Sequence, residues 1–158
     1  MERGHTYRVT AWWVAGQNGI ARSAAAPNAI QFTVPTQFGG MEGRWSPEDL
    51  FLASIASCFT TTFNAVAGLA KFPYVDLEVA IEGAVAKTES GFSFTEVLVQ
   101  PTLRIANATD AATALQLLNQ TETLCLVLRT LEIQQQFCPR VEVQKIVSAG
   151  EPSGPAGG

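Results

Sequence analysis

The sequence predicts an α+β fold, in which an antiparallel-dominated sheet is layered against two main helices. Three observations carry that expectation. Residues 77–105 alternate apolar and polar side chains with a period of two on either side of a turn at Glu89-Ser90-Gly91. Residues 47–71 form one long apolar stretch behind a strong helix-start signal. Residues 109–131 place Leu115, Leu118, Glu122 and Cys125 along one side of a second helix. With shorter strands before and after, the order is β–β–β–helix–β–β–helix–β.

The elements follow from local chemistry. His5 to Val14 is strand-like and leads into Gly16-Gln17-Asn18-Gly19, where the Asn-Gly pair favours a hairpin turn. Ile20 to Ala25 and Ala29 to Val34 are two more short strands separated by Pro27-Asn28, and Gln37 to Arg44 is a glycine-rich loop. Ser46 can cap a helix, Pro47 suits its first position, and Glu48 and Asp49 set negative charge at the positive end of its dipole. The body of this helix, from Leu50 through Phe63 to Val66, is apolar nearly all round, which predicts burial on most sides. Leu77 to Val85 and Phe92 to Ile105 are expected as a hairpin, with Pro101 at a bulge or an edge. Thr109-Asp110 starts the second helix, Val141 to Val147 is a last strand, and Glu151 to Gly158 is expected to be a disordered tail. A single domain over residues 1–148, followed by the tail 149–158, is therefore expected.

Composition limits the function classes. Of 158 residues, 47% are apolar and only 15% charged, so some apolar surface is expected to meet a partner. The net charge is −4 and the ten basic residues form no cluster, which argues against nucleic acid. No apolar run is expected to reach the length of a membrane span, and the polar start Met1-Glu2-Arg3-Gly4-His5 is expected to lack signal-peptide character. Three widely spaced cysteines fit a cytoplasmic protein with functional or buried thiols better than a secreted disulfide framework. No metal-ligand spacing exists, and the one histidine, His5, lies near the chain end. Trp12, Trp13 and Trp45 are expected as core or dimer-interface aromatics.

The string Ser46-Pro47-Glu48-Asp49-Leu50-Phe51-Leu52-Ala53-Ser54-Ile55-Ala56-Ser57-Cys58-Phe59 resembles a motif of the OsmC/Ohr superfamily, the osmotically inducible and organic hydroperoxide resistance proteins. That motif runs Asn-Pro-Glu-x-Leu, small residues, then Ala-Cys-Phe, with the same ten-residue step from Glu to Cys. Gly39-Gly40 has family-like spacing, and Leu124-Cys125-Leu126-Val127-Leu128-Arg129-Thr130-Leu131 resembles the second cysteine motif, Cys-Pro-x-Ser, with Leu126 in place of the proline. The resemblance spans roughly residues 7 to 147. It implies an OsmC-like fold with a long buried central helix, assembled as an intertwined homodimer.

The resemblance also implies a chemistry. Cys58 stands where the peroxidatic thiol attacks an organic hydroperoxide, Cys125 where the resolving thiol stands, and Glu48 where the motif's carboxylate stands. No metal or prosthetic group is implied, and an external dithiol would reduce the resulting disulfide. Such a thiol needs an electropositive setting, because the thiolate is the nucleophile. The arginine positions of the family are occupied here by Gln17 or by Gln37-Phe38, which leaves Arg22 and Arg44 as candidates to activate the thiolate. Phe51, Ile55 and Phe59 are candidates for an apolar pocket wall. Glu48 and Cys58 lie about 15 Å apart along one helix and roughly 80° apart around it, so Glu48 would serve the thiol of a second subunit unless the helix breaks. Cys138, followed by Pro139, is a rival resolving thiol. The other function class is a catalytically degenerate OsmC-like protein that binds an apolar small molecule at the dimer interface.

Overall fold

In a computed structural model, which describes residues 4–145, the chain forms two compact units, Met1–Ser54 and Ile55–Gly158, with the boundary inside the first helix. The expected tail at 149–158 and the end of the expected last strand lie outside the described residues.

The first unit carries an antiparallel sheet in the order β1-β2-β3, from Val9–Ala15, Asn18–Ser23 and Ile30–Phe32. The hairpin turn is Gly16-Gln17 rather than Asn18-Gly19: Gly16 takes the positive φ of 57°, and Ala15 pairs with Asn18. Gly19 has a different duty. It lies opposite Phe32, and a Cβ there would come within 2.2 Å of the Phe32 ring, so any larger residue would have to displace that ring. Trp12, Trp13 and Trp45 are all about half exposed, so none is a core residue of the single chain.

The helix start reads as expected. The Ser46 hydroxyl accepts the Asp49 N–H at 3.1 Å, while Asp49 Oδ2 accepts from the Ser46 N–H and hydroxyl, both at 2.8 Å. This is a capping box with Asp in the usual Glu place. Helix α1 then runs unbroken over Pro47–Leu69. Only one stripe of it is buried, Ile55, Phe59, Phe63, Val66 and Ala67, so within one chain the helix is not buried on most sides. At 23 residues, with a mean hydropathy of 1.5 over its most apolar window, α1 is long and apolar enough to cross a bilayer by length and composition, contrary to the sequence expectation. Its buried stripe packs Phe59 against Phe137 and Phe63 edge-on to Tyr74.

The second unit is built on the long hairpin β4 (Asp76–Thr88) and β5 (Gly91–Ile105). Val97, Val99, Leu103 and Ile105 on one face of β5 are buried with Ala114, Leu117 and Leu118 of α2 (Ala111–Leu124). Two short strands, β6 (Gln134–Phe137) and β7 (Arg140–Val143), both pair with β5 in parallel and in one register. β6 was not expected, because Gln134-Gln135-Gln136 carries no apolar alternation. Pro101 sits at neither an edge nor a bulge: it pairs with Val79 in the central strand, beside the gap that Cys138-Pro139 leaves between β6 and β7. A proline offers no N–H to a ladder, and here the ladder is interrupted at that point. The bulge lies at Ala84/Val85.

Candidate active site

The second helix expected over 109–131 is broken in two at one residue. α2 ends at Leu124, Cys125 has extended backbone (φ −61°, ψ 111°), and α3 covers Leu126–Thr130. The Cys125 N–H still bonds back to Thr121 O at 2.8 Å, and its carbonyl accepts from Arg129 N–H at 3.0 Å. Cys125 thus closes one helix and opens the next. The first N–H groups of α3 have no acceptor within their own helix and point towards whatever lies beyond it.

What lies there is Cys58. Its thiol and that of Cys125 are within hydrogen-bonding reach of each other, and both are free. Partial burial works against ionising Cys58. The backbone N–H of Val127, the Cys125 thiol, the Thr62 side chain and the backbone N–H of Leu126 outweigh it, so its pKa lies below the usual thiol value. Cys125 is fully buried, and that burial, reinforced by the neighbouring Cys58 sulfur, pushes its pKa up to about 11. One half-buried thiol is thereby easier to ionise than an ordinary thiol, beside a second that is harder to ionise.

The other expected site residues are placed as follows. Glu48 lies in the first turn of α1, and its Oε2 is buried with no hydrogen-bond partner among the described residues. The unbroken helix keeps it ten residues from Cys58, about 15 Å by helical rise. Arg22 lies on β2 opposite Thr10, and Arg44 donates to the Gln31 side chain. Neither is among the groups named above that lower the Cys58 pKa. Gln17 is in the β1–β2 turn, and Gln37 and Phe38 are in a 3-10 turn. Ile55 and Phe59 are wholly buried, whereas Phe51 is half-buried. Cys138 lines a cavity with Glu78, Ala80, Gln100 and Thr102. Its neighbour Phe137 faces Phe59 on the other side of the sheet, so Cys138 points away from the α1 face. Among the described residues no group of His, Cys, Asp and Glu could hold a metal ion.

Three contributors were missed from sequence: the amides of Leu126 and Val127, and Thr62. Thr62 was within reach, being four residues after Cys58 on the same helix face. The amides were not, because nothing at Leu126 announces a helix break.

Comparison with known proteins identifies the family and the fold. The family described as OsmC-like protein matches residues 39–137, more than half of the chain. The peroxiredoxin OsmC of Escherichia coli (strain K12) is 22% identical over 119 residues, covering 75% of this chain and 82% of the relative. An OsmC-like protein of unknown function from Vibrio cholerae superposes with a TM-score of 0.77 at 13% identity, over 86% of this chain and 99% of that one. An organic hydroperoxide resistance protein OsmC from Legionella pneumophila does so with a TM-score of 0.69 at 23% identity, over 90% and 100%. The fold is therefore OsmC-like, and the chain belongs to the OsmC/Ohr superfamily.

Proposed function

We propose that the protein is a thiol-dependent peroxidase that reduces organic hydroperoxides through Cys58 and Cys125. The observation that carries this reading is the pairing of the two thiols with opposite pKa shifts, one held down by α3 amides and the other raised by burial. The Cys58 thiolate attacks one oxygen of ROOH, the O–O bond breaks, and the alkoxide takes a proton to leave as ROH. Cys58 is then a sulfenic acid. The Cys125 sulfur attacks it, water leaves, and a disulfide forms. An external dithiol exchanges with that disulfide and departs as its own disulfide.

Leu124 and Leu126 flank Cys125 and are exposed, Leu126 by 69%, which favours an apolar hydroperoxide over hydrogen peroxide. A homodimer completes the site in this reading. A buried carboxylate oxygen with no partner is costly. Glu48 Oε2 has none among the described residues, and in this reading a second copy supplies the donor and Glu48 serves that copy's thiol. Three free thiols fit the reducing cytoplasm.

Stopped-flow oxidation with cumene hydroperoxide and with hydrogen peroxide tests the proposal. Wild type is expected to lose two thiols per chain rapidly, with cumene hydroperoxide the faster oxidant. Cys58→Ser should be inert, and Cys125→Ser should accumulate a sulfenic acid. Equally slow oxidation of all three proteins would sink the peroxidase and favour a binding protein.

A further inference from the structure

One face of the first unit carries positive charge that nothing in the described chain neutralises. In the β1–β2 ladder Thr10 pairs with Arg22, and Trp12 pairs with Ile20. Ala24 N–H bonds to Arg8 O at 3.4 Å, so Arg8 lies one step further along the same ladder. Side chains two residues apart on a strand share a face, as do residues directly opposite on an antiparallel pair. Arg8, Thr10, Trp12 and Arg22 therefore rise from one face, with Arg8 and Arg22 diagonal neighbours at about 7–8 Å. Together with Ser23 and Ala24 they line a concavity of about 280 Å³.

Two features make this more than a solvated surface. Like charges on adjacent strands destabilise a sheet, yet among the described residues no carboxylate lies within ion-pair distance of either guanidinium. Arg104, by contrast, is bridged to Asp76, Glu78 and Glu142. The pair of positive charges also stands out in a chain whose net charge is −4. Arg44, at Gln31 on the edge of the same sheet, is already held by that amide, which leaves Arg8 and Arg22 as the unclaimed pair.

We propose that this face binds an aromatic phosphomonoester. The phosphate lies between Arg8 and Arg22, and the ring lies against the Trp12 indole. The charge balance selects a phosphate over a carboxylate. Two guanidinium groups carry two positive charges, and a phosphomonoester brings close to two negative ones at neutral pH, whereas a carboxylate brings one. Guanidinium forks match phosphate oxygens two at a time. The half-exposed indole supplies a flat apolar surface beside them. This inference is independent of the thiol chemistry, since it uses none of its residues.

Isothermal titration of the full chain at low salt, with phenyl phosphate as the probe, tests it. One phenyl phosphate per chain is expected to bind, with inorganic phosphate and benzoate each weaker by about tenfold. The double variant Arg8→Ala/Arg22→Ala should lose saturable binding while keeping its far-ultraviolet circular dichroism. Trp12→Ala should bring phenyl phosphate down to the level of inorganic phosphate, and raising the salt should weaken all three ligands. Absence of saturation with phenyl phosphate into the millimolar range would overturn the proposal, as would unchanged binding in the double variant. A change of sedimentation coefficient in Arg8→Glu/Arg22→Glu would overturn it too, by giving the face to a second copy of the chain.

Discussion

Cys58 and Cys125 are chemically one residue type in two states of readiness, and the difference is set by what surrounds each sulfur. Amides at the start of α3 and the neighbouring Cys125 and Thr62 groups favour the Cys58 thiolate, while complete burial disfavours one at Cys125. Iodoacetamide applied to a Cys138→Ser background near neutral pH is therefore expected to label Cys58 well before Cys125, as mass spectrometry would show. The Cys58 rate should level off at a pH below that of an ordinary thiol. Simultaneous labelling of both would contradict the assignment. Stability carries the same signature with a definite sign. The raised pKa of Cys125 means that the fold favours its protonated form. That contribution is fully present below the ordinary value of 9.0 and is lost as pH rises through about 11. Urea midpoints measured from pH 8 to pH 11 should fall more for wild type than for Cys125→Ala.

At the scale of elements, the break between α2 and α3 makes the site. Had residues 111–130 formed one helix, the Leu126 and Val127 N–H groups would have been spent on carbonyls four residues back. The family resemblance places a proline where Leu126 stands, and proline suits the first position of a helix. Leu126→Pro is accordingly expected to leave the urea midpoint nearly unchanged. It removes one N–H from the Cys58 sulfur while Val127 keeps its own, so oxidation by cumene hydroperoxide should slow by a few-fold rather than stop. A fully inactive or unfolded Leu126→Pro protein would show that the break is held by something else. At the start of α1, the capping box is expected to contribute about 1 kcal/mol, to be read as the loss in Ser46→Ala by urea unfolding.

At the scale of the whole molecule, the apolar surface is the dominant fact. Val9, Trp13 and Ile30 on the sheet of the first unit, with Leu69, Leu115 and Leu126 in the second, are all more than two-fifths exposed. Exposed apolar surface of this kind, on a chain with only 15% charged residues, is the kind that marks an interaction site. The proposed homodimer would cover it. Sedimentation velocity at micromolar concentration should then report a dimer, and Trp13→Glu should shift it towards monomer. A wild-type monomer would remove Glu48 from any part in the chemistry at Cys58.

Local order was legible in the residues. Period-two alternation marked β4 and β5, and Ser46-Pro47 with Asp49 marked the start of α1, because those patterns encode hydrogen bonds and burial within a few residues. The motif around Cys58 and Cys125 was legible as well. Three things were not: the strand of glutamines at β6, the helix break at Cys125, and the donors that lower the Cys58 pKa. A polar strand forms because β5 offers a ladder, and an amide becomes a thiolate donor because a distant helix brings sulfur to it. Both depend on groups far apart in the chain, and only the tertiary structure decides which of them meet.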